Sequence, residues 1–162
     1  MHVDDDATAE ALSFCRVAVA NADELDEIDH RGYHGDNCIT PICARNEIAA
    51  LSFLANICRE RLRRYPTTYA SDLKRLEHGD LEPFSNHRNA IIVIMSEKEI
   101  LHFFINLSQV ATPIFSLPVD QAIRKVQDEF SDVSQRYDDT ARYMRSVVYD
   151  LQQLSQVGYS SY

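Results

Sequence analysis

The stretch TPICARNEIAALSFLANICRERLRRY, residues 40–65, decides the fold. Its apolar residues fall at Ile48, Leu51, Phe53, Leu54, Ala55, Ile57, Cys58 and Leu62, the three-and-four spacing of a helix with one buried face. Thr40 can cap the start, and Pro41 suits the first helical position, where an N–H would lack a partner anyway. Pro66 stops the helix after Tyr65, because the residue before a proline is pushed out of the helical region.

Upstream, Ala9, Ala11, Leu12, Cys15, Val17, Ala18 and Val19 predict an opening helix, capped by Asp5 or Asp6 and closed by Asn21. A short acidic helical turn, Ala22 to Ile28, follows. Residues 29–42 read as a loop, with Gly32, Gly35, Asn37 and Pro41 supplying turn chemistry. Downstream, Thr68 or Ser71 can cap a short helix from Asp72 to His78. The run Ala90-Ile91-Ile92-Val93-Ile94-Met95 fits a buried strand or a buried helix equally well, since periodicity does not separate the two. Pro113 and Pro118 bracket a break, and a long helix is expected from Val119 to Gln156. Its apolar positions Val126, Phe130, Val133, Tyr137, Ala141, Met144 and Val148 repeat every eleven residues, a face suited to a flat helical neighbour in the same chain or in a second copy.

A chain of 162 residues with 45% hydrophobic and 25% charged residues, four glycines and no tryptophan suits one helical domain. It has no apolar run long enough to span a membrane, and its acidic start, Met1-His2-Val3-Asp4-Asp5-Asp6, is unlike a signal peptide. Cys15, Cys38, Cys43 and Cys58 read as reduced thiols in a cytoplasmic compartment. The net charge is −9, which gives no general attraction to nucleic acid or to a membrane. Its distribution is uneven: residues 1–44 hold ten acids against Arg16 and Arg31, whereas residues 45–64 hold five arginines against Glu47 and Glu60.

Four features of the sequence bear on chemistry. His30, His34, Cys38 and Cys43 offer zinc-ligand types, but their H-x3-H-x3-C-x4-C spacing is not that of a standard zinc site, and a polar loop explains them better. Asn86-His87 is only a dipeptide, explained by a helix cap at Ser85 or Asn86. No Gly-x-Ser-x-Gly, glycine-rich phosphate loop or His-Glu-x-x-His occurs, and neither Cys15 nor Cys58 has the setting of a nucleophile. That leaves Arg59, Arg61, Arg63 and Arg64, with Arg88 further on. Such cations complement a helix C-terminus, and they can also fork onto the carboxylates of a protein partner.

Asn46-Glu47, Leu51, Leu54 and Leu62, then Tyr65-Pro66-Thr67-Thr68, Asp72 and Glu97-Lys98-Glu99-Ile100-Leu101 occur in this order. Together they resemble the helical substrate-binding domain of the Rubisco large-subunit methyltransferase family, over roughly residues 7–110. The resemblance implies an all-α, bundle-like domain with a long C-terminal helix. Residues 1–112 would form the substrate-binding domain, and residues 113–162 a helical extension packed on it. It also implies that residues 90–95 are helical, with Glu97-Lys98-Glu99 on an exposed turn.

In the family a SET domain binds S-adenosylmethionine and methylates a lysine or histidine of a protein, while the helical domain helps hold that protein. The chain would then be non-catalytic and hold no cofactor of its own. Its partners would be a protein substrate, contacted through Arg59, Arg61, Arg63, Arg64 and Arg88, and a SET domain in the same or another chain. The alternative is a free-standing helical scaffold that forms a homodimer through its C-terminal helix.

Overall fold

A computed structural model describes residues 6–30, 40–78, 81–130 and 138–159. They form seven helices: α1 (Asp6–Ala18), α2 (Ala22–His30), α3 (Ala44–Arg63), α4 (Tyr69–Glu77), α5 (Asn86–Phe115), α6 (Val119–Phe130) and α7 (Asp138–Tyr159). The chain is all-α, and no strand occurs among the described residues.

The helices start where local chemistry can satisfy their first N–H groups. Asn21, expected to close α1, instead caps α2: its Oδ1 accepts from the Glu24 amide at 2.9 Å, and the Glu24 carboxylate accepts from the Asn21 amide at 3.0 Å. This is a reciprocal capping box. Thr68 and Ser71 form the same device on α4, which therefore begins at Tyr69 rather than Asp72. Ser85 caps α5 through the Arg88 amide. The cap of α3 is Cys43, not Thr40, and Pro41 is buried ahead of it.

α3 and α5 form the central pair, with α1 against α3, α4 against α5, and α6 and α7 against each other and α5. One apolar core runs through them, including Leu12, Leu51, Ala55, Leu107, Ala111, Phe115, Val126, Met144 and Val148. Burying large apolar side chains of this kind is worth about 1.5–3 kcal/mol each against leaving them in water.

Two expectations need correction. The segment from Val119 to Gln156 is two helices packed on each other, not one. A helix buries a stripe more cheaply against its own chain than in solvent, so Val126, Ala141, Met144 and Val148 all face the internal core; Val133 and Tyr137 lie outside the described residues. Glu97-Lys98-Glu99 is not a turn but lies in the middle of the 30-residue α5. The break expected between Pro113 and Pro118 is present at Ser116–Pro118, but Pro113 itself is accommodated in the last turn of α5.

Candidate protein-binding face

Four of the most deeply buried side chains are polar: Lys98, Glu47, Asn46 and Asp72. Burying such groups is costly unless each is paired and hydrogen-bonded; the three charged groups are, and Asn46 is satisfied through its Nδ2 while its Oδ1 has no partner. The Glu47 carboxylate takes a fork from Arg16, with Nε at 2.7 Å and Nη2 at 2.8 Å, and also accepts from the Tyr143 hydroxyl. One carboxylate on α3 thus ties down α1 and α7. Asn46 reaches the other way, donating from Nδ2 to the Arg16 carbonyl at 3.0 Å and to Glu24 at 3.2 Å. Burial pushes the Tyr143 phenol well above its ordinary value, and the adjacent Glu47 charge adds to this, so Tyr143 serves as a donor.

Glu24 is the second hub. Its oxygens accept from Arg45, Asn21, Cys43 and Asn46. Burial alone would raise this carboxyl, but the donors outweigh it and hold it at about 2.

The third hub forms the bend after α3. Lys98 Nζ, 1% exposed, donates to Asp72 Oδ2 at 2.5 Å, to the Thr67 carbonyl at 2.7 Å and to Thr67 Oγ1 at 3.0 Å. It also lies 4.9 Å from the Tyr65 ring centroid, a cation–π contact. Burial opposes ionisation of Asp72, yet Lys98 and Thr67 hold its carboxyl below the ordinary range. The Tyr-Pro-Thr-Thr segment is therefore fixed from beneath by α5, and its outer surface is presented in one shape.

That bend displays the end of α3. On a helical projection at about 100° per residue, Phe53 and Ile57 lie at the middle of the solvent side with Arg64 in line with them, Arg61 on one flank and Arg63 on the other, and Arg59 further round toward the buried side. Phe53 is 36% exposed and Ile57 47% exposed, so the expectation that both belong to the buried face is wrong. The signal was present: Leu51, Ala55 and Cys58, which are buried, fall on the opposite side of that projection. An open recess of about 370 Å³ on this side is lined by Phe53, Asn56, Ile57, Glu60, Arg61 and Arg64. Around the bend a second recess, of about 580 Å³, is lined by Leu62, Arg63, Tyr65, Pro66, Tyr69 and His102 among others.

The four arginines differ in their partners. Arg61 forks onto Glu97 at 2.9 and 3.1 Å and lies 5.5 Å from the Tyr65 ring centroid. Arg63 pairs with Glu60 one turn back. Arg59 donates to Asn56 Oδ1 at 2.9 Å, and Arg64 has no carboxylate partner among the described residues. Arg88 is not brought to this group: it sits in the first turn of α5, where its Nη1 approaches the Leu76 carbonyl of α4 at 3.4 Å.

The other constellations resolve into structural roles where they are described. Cys43 Sγ accepts from the Asn46 amide at 3.4 Å and its thiol donates to Glu24 at 3.0 Å. Burial raises the Cys43 thiol, as it does those of Cys15 and Cys58. His34 and Cys38 lie outside the described residues. Asn86 and His87 are exposed in the first turn of α5, with Arg75 3.1 Å from His87 Nε2. No described helix is long and apolar enough to cross a membrane.

No curated protein and no solved structure matches this chain. A family model does, over residues 1–101, which hold Asn46-Glu47, the Tyr65–Thr68 bend, Asp72 and Lys98. The chain belongs to the Rubisco LSMT substrate-binding family.

Proposed function

We propose that this chain is the protein-substrate recognition domain of a SET-type, S-adenosylmethionine-dependent protein methyltransferase, cytoplasmic in location. It grips the substrate at the end of α3 while a SET domain, in the same or another chain, performs the transfer. The observation that supports this reading is the placement of the family residues. Asn46, Glu47, Asp72 and Lys98 are spent inside the molecule: Asn46 and Glu47 anchor the start of α3 to α1, α2 and α7, and Asp72 and Lys98 fix the bend that follows its exposed end, which carries arginines and apolar side chains. The sequence contains no glycine-rich cofactor segment, so the methyl donor is assigned to the SET domain and no transfer step to this chain.

The scaffold reading needs the Val126-to-Val148 face to be available to a second copy. Its described positions Val126, Ala141, Met144 and Val148 are buried within the chain, which favours recognition over oligomerisation.

The test is a methylation assay on the full-length polypeptide that contains this chain. With Arg61→Glu plus Arg64→Glu, the KM for the protein substrate should rise by about tenfold at an unchanged kcat, the signature of lost ground-state binding. Calorimetric binding of S-adenosylmethionine to the 162-residue chain alone would overturn the assignment. So would a full-length polypeptide that neither contains nor binds a SET domain.

A further inference from the structure

We infer that the outer face of α5, where it meets the start of α7, holds a basic side chain from a protein partner. The three neighbours Glu97, Lys98 and Glu99 are turned three ways by the helix. Glu97 is taken by Arg61 of α3, and Lys98 is buried against Asp72. Glu99 is exposed and has no hydrogen bond or ion pair among the described residues. It lines an open recess of about 430 Å³ together with Ser96, Ile100 and Phe103 of the same helix and Asp139 from the first turn of α7.

The walls of this recess select its occupant. Both ionisable groups that line it among the described residues are carboxylates. Arg142, one turn along α7, engages Asp139 at 3.7 Å; Glu99 has no such counterion, so the recess keeps a negative balance. The chain around it has a net charge of −9, which draws in basic partners and repels a phosphate backbone or an anionic lipid surface. Apart from Ser96, the remaining lining is apolar. Ile100 is 40% exposed, and Phe103 is fixed by an edge-on contact with the buried Phe104, ring centroids 5.4 Å apart. A lysine or arginine supplies both halves of the complement: an aliphatic stem for Ile100 and the Phe103 ring, and a cation for Glu99 and Asp139.

The same helix face extends the contact. On a projection at about 100° per residue, Ile92, Val93, Glu99, Ile100 and Phe103 all lie within about 60° of Ser96. Ile92 and Val93 are exposed, and they precede Glu99 and Ile100 by seven residues, about 10 Å along the axis. The fitting segment therefore carries an apolar side chain about two helical turns from its lysine or arginine.

The test uses the 162-residue chain and fluorescence anisotropy. The probe is a labelled helical peptide with a leucine and a lysine seven residues apart on one face. Controls replace the lysine by norleucine, which keeps the stem and removes the charge, or by glutamate. The lysine peptide should bind, more weakly as salt is raised, and norleucine should cost at least about fivefold. Glu99→Gln and Ile100→Ser should each weaken binding by about the same factor. Glu10→Gln removes the same charge from the exposed surface of α1 and should leave affinity within about twofold. Glu99→Lys should turn the preference toward the glutamate peptide. Thermal unfolding checks that each variant is folded.

Equal binding of the glutamate peptide would overturn the inference. So would an equal loss from Glu10→Gln and Glu99→Gln, because the attraction would then be to net charge and not to the recess. Unchanged affinity in the folded Glu99 and Ile100 variants would do the same. A mass that doubles with concentration, and falls back in Ile100→Ser, would make a second copy the occupant and also overturn it. The methylation test at Arg61 and Arg64 reads a different helix, so the two readings stand or fall separately.

Discussion

Lys98 shows how a single buried charge can decide local structure. Its ammonium, 1% exposed, has three acceptors on two neighbouring elements, so its desolvation is offset by a complete hydrogen-bond set. Lys98→Ala should therefore cost about 3–5 kcal/mol, mostly because the Asp72 carboxylate is left buried and unpaired. The pH dependence has a definite sign. With its partner, Asp72 is held below its ordinary 3.8, so it contributes stability above that value and loses it as the pH falls below. Without Lys98, burial raises the carboxyl instead, and the variant should gain stability relative to wild type as the pH falls toward 4. Urea unfolding of both proteins at a series of pH values checks this, and a gap that does not change with pH would disprove it.

At the scale of elements, caps were largely legible and their partners were not. Thr68 and Ser85 lie just ahead of helices and act as caps, because a Ser or Thr oxygen satisfying an N–H three residues on is a purely local interaction. Asn21 suits the end of α1 by residue type, but it forms a capping box with Glu24 at the start of α2; the Asn-x-x-Glu spacing carries that signal. Thr68→Ala should cost about 1 kcal/mol, and amide exchange should accelerate in α4 before it does in α5. The apolar run at residues 90–95 could not be resolved by period alone. As part of α5 it buries Ile91 and Met95 while leaving Val93 66% exposed, a helical alternation that an all-apolar stretch hides.

Across the whole molecule, the acidic balance is held in place by a few strongly coordinated carboxylates. Glu24 joins α2 to the start of α3 and is held at about 2 against an ordinary 4.5. Its folded value is depressed, so its contribution is complete above about pH 4.5 and is lost as the pH falls toward 2. Allowing for the exposure of its Arg45 partner, we expect about 1–2 kcal/mol from this group. Acid unfolding followed by circular dichroism should show that loss, and Glu24→Gln should flatten the curve over the same window.

The sequence alone determined that the chain is helical, that a basic cluster ends its most clearly patterned helix, and that its ordered motifs match a substrate-binding domain. These properties depend on neighbours a few residues apart, on residue type and on order along the chain. Only the tertiary structure decided that Glu47 answers to Arg16 and Tyr143, that Lys98 is buried under the Tyr65–Thr68 bend, and that residues 119–130 and 138–159 form two helices packed on each other. It also separated Arg88 from the arginines of α3 and turned Phe53 and Ile57 outward. Each of these depends on which distant residues share a space, because a charge can be buried only where its partner arrives, and an apolar residue stays exposed only where no neighbour covers it.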